Sequence, residues 1–455
     1  MADDWRTEYA QRLLSPEDAA GLVQRGDAVY TPIGGDAETL LRTLLPQLIE
    51  DPRAFKVRAC SPRTSQEWFS DDFGWLDADL GVEIFAGAVG RQALQSLRSD
   101  FTPNLFSNQF NVYDHRDDIQ SIDVFTTTCT PPDEDGYVDF GSLPWHKGDF
   151  VRRARTSILE VAPWLPRCRT TERLHVSEVT AFLDTALTER PPFNVRVRPP
   201  EAEAVSGFLN EIIQDGDTIQ IGAGRTATAI ADCGAFDGKQ DLGWHSEITP
   251  ANVLPWMMNG VVNGSRKTFD QGLAVTASIN PADDAEAEEW MATSGLIETR
   301  PVREVNSIPT IAAHERMCSI NNAFQVDLTG QICSESRGTT VYNGTGGQPE
   351  FHIGAVIAPG GKAITVLPAT FAGGEATRIV PRIEDGSSVT VPRSFADYIV
   401  TEFGVARLAG KSQRERAEEL IAIAHPDHRE ELRRARQRQF FPAPVADPAP
   451  APAGD

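Results

Sequence analysis

Residues 24–40 read QRGDAVYTPIGGDAETL, and residues 214–230 read QDGDTIQIGAGRTATAI. At a constant offset of 190, both run Gln-x-Gly-Asp-x, a short apolar alternation, a Gly-rich bend and a helix-forming stretch. Each reads as a turn, a buried strand, a glycine bend and the start of a helix. A repeat this long marks duplicated domains, not a solenoid. Between the copies lies ERPPFNVRVRPP (189–200), whose four prolines stop helices and stiffen a connection. The sequence thus predicts an N-terminal domain over 1–190 and a C-terminal domain over 200–440. The last fifteen residues, FPAPVADPAPAPAGD (441–455), are too rich in Pro and Ala to pack a core and read as a disordered tail.

Strand and helix signals alternate through the rest. VDLTGQI (326–332), AVIAP (355–359) and AITVLPA (363–369) read as short buried strands. RERAEELIAIAH (414–425), followed by Pro426, reads as an amphipathic helix. Such alternation predicts the α/β class, with two tandem open sheets covered by helices on both faces. Ligands in these folds sit at the carboxyl ends of strands, beside helix N-termini.

The charge is −23, from 42 Lys+Arg against 65 Asp+Glu, which argues against non-specific binding to nucleic acid or anionic membrane. Only six of the basic residues are Lys, so a fixed cation in a site is expected to be Arg. The six cysteines show no CxxC and read as reduced, buried small hydrophobes. The acidic N-terminus is no signal peptide, and no run approaches a membrane span, so a soluble cytoplasmic protein is expected. The eight His have no HxH or HExxH spacing, which speaks against a metal site.

Three segments hold chemistry. The bend Ile221-Gly222-Ala223-Gly224-Arg225 lets backbone N–H groups approach an anion, but it lacks the third glycine of a dinucleotide fingerprint. DLGWHSE (241–247) ends in a carboxylate that reads either as a nucleophile or as helix capping, with Ser246 as the cap and Glu247 at the helix's positive end. Residues this close in sequence do not make a hydrolase triad, and there is no GxSxG elbow. YNGTGGQPEF (342–351) packs three glycines among small polar residues, which suits a close-approach pocket or an oxyanion donor. PGGK (359–362) reads as a plain turn into a strand.

These constellations occur in this order in one family. The chain resembles the acetyl-CoA hydrolase/transferase family, which includes 4-hydroxybutyrate, butyryl-CoA:acetate and succinyl-CoA:acetate CoA-transferases. The resemblance runs from about 15 to 437. It is carried by SINNAFQVDLTGQICSES, NGTGGQPEF, GGKAITVLPAT, TRIVPRI and residues 389–427, with fainter echoes in PPDEDGYVDFG (131–141), LEVAPWLPR (159–167) and HVSEVTAFLD (175–184).

The resemblance implies a CoA-transferase fold with Glu247 as the catalytic nucleophile, Asn306 of REVNSIPTI holding the acyl oxygen, and the N–H of Gly347 as its partner donor. It places Gly222, Gly224, Gly344, Gly346 and Gln348 against the CoA substrate. It implies a homo-oligomer with no metal and no permanently bound cofactor, coenzyme A arriving as substrate. Glu350 stands where the family has Asp, and Ile248 where it has Met or Leu. Arg225 and Trp244 also depart from the usual pattern and are expected to reshape the acyl pocket. The alternatives are an acyl-CoA hydrolase, with water as acceptor, and a catalytically silent acyl-CoA-binding protein on the same scaffold. The glycine bends alone leave a nucleotide-dependent oxidoreductase as a further reading.

Overall fold

A computed structural model describes residues 4–189, 197–281 and 284–442. Most of the Pro-rich connection and of the Pro/Ala stretch falls outside them. Phe441, at the start of that stretch, is covered by the guanidinium groups of Arg414 and Arg436, 4.4 and 4.7 Å from its ring.

The two copies of the repeat build the centres of two sheets. Gln24–Asp27 and Gln214–Asp217 fold alike. Each Asp carboxylate accepts from the backbone N–H of its Gln, at 2.7 and 2.8 Å, and each intervening glycine takes positive φ (Gly26 +87°, Gly216 +77°). The strands that follow, Ala28–Thr31 and Thr218–Ile221, are buried along their whole length, as expected of parallel strands covered on both faces.

The first sheet has seven parallel strands, in the order Ala181–Asp184, Thr156–Val161, Val124–Cys129, Ala28–Thr31, Lys56–Ala59, Leu80–Glu83, Asp100–Thr102. The second has nine, in the order Gly404–Arg407, Tyr398–Thr401, Lys362–Val366, Met317–Asn322, Thr218–Ile221, Gly243–Thr249, Ala274–Ile279, Ile297–Thr299, Arg169–Thr170. Only its edge strand Gly404–Arg407 runs antiparallel. Arg169–Thr170 comes from the N-terminal half, so that half completes the second sheet. In each sheet the order reverses beside the repeat strand, and the crevice at that switch point is where such folds take ligands.

The local readings fare unevenly. Lys362–Val366 is a strand, and Gln413–Ile423 is a helix that buries Ala417, Leu420, Ile421 and Ile423. VDLTGQI is the strand Gln325–Asp327, a turn at Gly330, and the strand Ile332–Cys333. AVIAP is not a strand: Ala355–Ile357 closes the helix Gln348–Ile357. An apolar run this short does not distinguish the two states by period. All six cysteines are free thiols, five of them buried.

Candidate active site

The strand Gly243–Thr249 lies beside Thr218–Ile221 and carries most of DLGWHSE. The capping reading of Ser246 and Glu247 is therefore wrong: no helix starts there, and Ser246 Oγ donates to the carbonyl of Ile248 at 2.7 Å. Alternation along a strand sends neighbouring side chains to opposite faces. Trp244 enters the core, fully buried, and donates through Nε1 to Thr249 Oγ1 at 2.8 Å. Its expected part in the acyl pocket does not hold. His245 and Glu247 share the other face, toward the short helix Val302–Val305.

His245 Nε2 lies 2.8 Å from the carbonyl of Val305. A carbonyl only accepts, so Nε2 carries the proton, and burial keeps the ring neutral by lowering its pKa to about 3. Val305 precedes Asn306, so the histidine of the motif fixes the segment that carries the asparagine. The N-terminal half fixes the same segment: Val302 N–H donates to the carbonyl of Trp145 at 2.8 Å, and Arg303 Nε pairs with Asp149 Oδ2 at 2.8 Å.

Asn306 is fully buried, and its Nδ2 faces two carboxylates. It donates to Glu247 Oε2 at 2.5 Å and to Glu350 Oε2 at 2.8 Å. The other oxygen of Glu350 accepts from the N–H of Ser107 at 2.9 Å. One amide thus bridges two carboxyls.

Their titration follows. Burial raises Glu247 to about 8; the Asn306 hydrogen bond opposes this and the Glu350 charge reinforces it. Burial likewise raises Glu350 to about 7, against its bonds from Ser107 and Asn306. The rates should show it: kcat/KM rises with pH and levels off above about 8, because only ionised Glu247 attacks. Glu350→Gln should move the inflection down, and Asn306→Ala should move it up. A pH–rate profile of the three proteins checks the order.

Gly347 closes the site as N-cap of the helix Gln348–Ile357. A methyl group here would lie 2.0 Å from Glu247 Oε2 and 2.6 Å from Asn306 Nδ2, so only hydrogen fits. The orphan N–H groups of this helix turn face an anion favourably. Gln348 is buried, and its Nε2 has no partner among the described residues. Gly344 packs on the first sheet's side: a methyl there would sit 1.5 Å from the carbonyl of Ile84, a buried residue held at φ +62°. Gly346 faces the ring of Phe85 and takes φ +57°. Gly344→Ala should displace this loop and lower kcat/KM by about a hundredfold while leaving the melting temperature within a few degrees. Paired kinetics and thermal melts check both parts.

Gly222 and Gly224 end the neighbouring strand. Methyl groups there would meet Asn321 Oδ1 at 2.2 Å and Asn322 Oδ1 at 2.1 Å. Asn322 Oδ1 caps the following helix at the N–H of Ala227, 2.8 Å away. These glycines sit at the switch-point crevice, but their immediate neighbours are asparagines and not Glu247. Arg225 is exposed.

The geometry thus brings Glu247, Asn306 and Gly347 together, with Gly344, Gly346 and Gln348 alongside. Sequence reasoning missed Glu350, which it noted only as a departure, as well as Ser107 and Ile84. The signal for Glu350 was an acid in the first turn after Gly-Gly-Gln-Pro, which alone reads as helix-terminus electrostatics. Among the described residues no cluster of side chains could hold a metal ion, and no helix is long and apolar enough to cross a membrane.

The chain matches the acetyl-CoA hydrolase/transferase N-terminal domain over residues 2–189 and the corresponding C-terminal domain over 285–436. Glu247 lies between the two matches, in a stretch that whole-chain relatives span. It is 33% identical to a succinyl-CoA:cyclohexane-1-carboxylate CoA transferase of Geobacter metallireducens, over 95% of this chain and 97% of that protein. It is 34% identical to a 4-hydroxybutyrate coenzyme A transferase of Clostridium kluyveri, over 78% and 82%. Among solved structures, RipA of Yersinia pestis superposes with a TM-score of 0.86 at 29% identity, over 96% of this chain and 99% of that one. A 4-hydroxybutyrate CoA-transferase of Porphyromonas gingivalis superposes with a TM-score of 0.75 at 26% identity, over 96% and 100%.

Proposed function

The chain belongs to the acetyl-CoA hydrolase/transferase family and is a CoA-transferase of that family; we propose that it moves CoA between an acyl-CoA and a small carboxylate by covalent catalysis at Glu247. Acetate, butyrate and 4-hydroxybutyrate represent the acceptor class. The observation that carries the mechanism is the bridge from Asn306 Nδ2 to Glu247 Oε2, 2.5 Å long, closed over by Gly347.

The reaction needs an enzyme carboxylate. A free carboxylate attacking a thioester expels the CoA thiolate and leaves a mixed anhydride, and the thiolate is lost to solvent unless it is kept in place. Glu247 solves this in two half-steps. Ionised Glu247 attacks the acyl carbonyl, a C–O bond forms, the C–S bond breaks and the thiolate leaves. The product is an acyl-glutamyl anhydride. The thiolate then attacks the glutamyl carbonyl and releases the acyl group as a free carboxylate, leaving a glutamyl-CoA thioester. The second acid reverses both steps, which makes the kinetics ping-pong.

Each step passes through an oxyanion; Asn306 Nδ2, 2.5 Å from Glu247 Oε2, is one donor to it, and the reading makes the N–H of Gly347 the other. Burial that raises Glu247 to about 8 limits the ionised fraction at neutral pH. The same burial makes that fraction a more basic nucleophile. The sequence reading requires an ionised, paired Glu247; Asn306 supplies the pairing hydrogen bond, while burial and the Glu350 carboxyl push its pKa up.

Water reaching either intermediate turns transfer into hydrolysis, so the balance depends on closure of the pocket. Mixing acetyl-CoA with each candidate carboxylate and following both CoA esters tests the reading. A new acyl-CoA should form only with acceptor present. Equal acetyl-CoA consumption with and without acceptor, with free CoA released, makes it a hydrolase. Acyl-CoA binding without turnover makes it a silent scaffold. The reading also has the enzyme working in the cytoplasm, where its six free thiols stay reduced, and as a homo-oligomer. A monomer mass by light scattering contradicts the latter.

A further inference from the structure

The chain carries −23 charge, yet two arginines gather around one ring, with Glu384 beside Arg337 and the charges of Glu201 and Glu402 acting on Arg378. Arg337 and Arg378 both lie against the ring of Phe371, their guanidinium carbons 4.5 and 5.2 Å from its centre. Arg337 makes no hydrogen bond among the described residues. Its Nε is buried and unpartnered, and Glu384 approaches only to 4.0 Å. Arg378 donates to the carbonyls of Thr370 and Phe324, at 3.3 and 3.1 Å, and to no carboxylate. Two like charges around one ring repel each other, and a ligand anion between them relieves that repulsion.

The patch connects to the reacting carboxylate. Arg337 sits in the hairpin Ser336–Arg337/Thr340–Val341, which runs straight into Tyr342 and the loop Asn343–Gly347. Phe324 packs on Tyr342, ring centres 5.5 Å apart, and Arg91 covers the other contact of Tyr342 at 5.4 Å while donating to its carbonyl at 2.7 Å. From Tyr342 to Gly347 the chain spans at most about 18 Å. A pantetheine arm bridges a span of that order. An arginine-lined cavity elsewhere, of about 630 Å³ around Arg152, Arg153 and Arg303, is a poorer host. Its arginines are already paired, Arg152 with Glu172, Arg153 with Asp114 and Arg303 with Asp149.

We propose that Arg337 and Arg378, set around Phe371 and next to the Phe324–Tyr342 pair, form the subsite for the phosphorylated adenosine end of CoA, with the pantetheine arm lying along the Asn343–Gly347 loop toward Glu247. The proposal rests on the CoA-transferase reading and adds to it the residues that hold the nucleotide.

Arg337→Gln is the variant of choice, because a side chain without hydrogen bonds leaves little structure to lose. It should raise KM for acetyl-CoA about tenfold. The penalty should vanish with acetyl-pantetheine, which lacks the nucleotide. Adenosine 3′,5′-diphosphate should compete with acetyl-CoA in the parent enzyme and about tenfold more weakly in the variant. An unchanged KM for acetyl-CoA, or an equal loss with acetyl-pantetheine, overturns the assignment. If the parent enzyme turns over no acyl-CoA, the transferase reading fails by itself. Calorimetric titration of adenosine 3′,5′-diphosphate into both proteins then decides the subsite alone: weaker binding by the variant upholds it, and equal binding overturns it.

Discussion

Glu247→Gln should abolish CoA transfer, lowering kcat by about four orders of magnitude or more while the protein stays folded. Glutamine keeps the shape and can still meet Asn306, but it has no nucleophilic oxygen at neutral pH. Removing a carboxyl that burial already holds near pKa 8 takes no buried charge away from the protonated form, so the fold has little to lose. Glu247→Asp tests position as distinct from chemistry. It retracts the carboxyl by one methylene, from a place where Oε2 lies 2.5 Å from Asn306 Nδ2. A displacement of about 1 Å is enough to cost about a hundredfold in rate. Steady-state kinetics should therefore rank wild type, then Asp, then Gln. Gln activity within tenfold of wild type removes Glu247 from the mechanism.

Gly347→Ala should be the next most damaging change, lowering kcat by about a thousandfold. Its methyl would fall 2.0 Å from Glu247 Oε2 and 2.6 Å from Asn306 Nδ2, inside contact distance of nucleophile and donor together. The neighbours have little room to yield. Asn306 is fully buried and tied to Glu350, and Glu350 is tied to Ser107. Either the methyl pushes Glu247 aside or the loop lifts, and a lifted loop withdraws the Gly347 N–H from the oxyanion. Loss of one such donor alone costs about a hundredfold to a thousandfold. Asn306→Ala should fall in that lower range, since it removes a donor without inserting an obstacle. Kinetics of both variants at one pH, with circular dichroism to show that both fold, check the order.

The legible and illegible parts of this protein differ in range. The repeat at residues 24 and 214 announced both sheet centres because its signals are local: a Gly in the left-handed region, an Asp that caps its own turn, and an apolar alternation. The α/β class followed from those signals. AVIAP failed because five apolar residues fit a buried strand or the last turn of a buried helix equally well, and contacts with the rest of the chain decide it. Glu247 was ambiguous for the same reason. Ser-Glu resembles a helix cap, and only the strand's partners, Thr218–Ile221 and Ala274–Ile279, turn it into an active-site edge. Family resemblance, and not residue chemistry, selects Glu247, Asn306 and Gly347, and the geometry hydrogen-bonds Asn306 to Glu247 and packs Gly347 against both. What resemblance did not supply was the carboxyl pair. Glu350 is 103 residues from Glu247, and its meeting with Asn306 and Ser107 is a property of the packed molecule. The two departures read as pocket-shaping residues show the limit from the other side. Trp244 points into the core, and Arg225 stays on the surface.

The covalent route through Glu247 is tested most directly by trapping. The enzyme is incubated with acetyl-CoA, treated with sodium borohydride and weighed intact, then digested. A glutamyl thioester is reduced to an alcohol, so the account predicts a permanent loss of activity and a loss of about 14 Da mapped to Glu247, both absent when acyl-CoA is omitted. Full activity and unchanged mass after treatment, in an enzyme that is turning over acetyl-CoA, would contradict it.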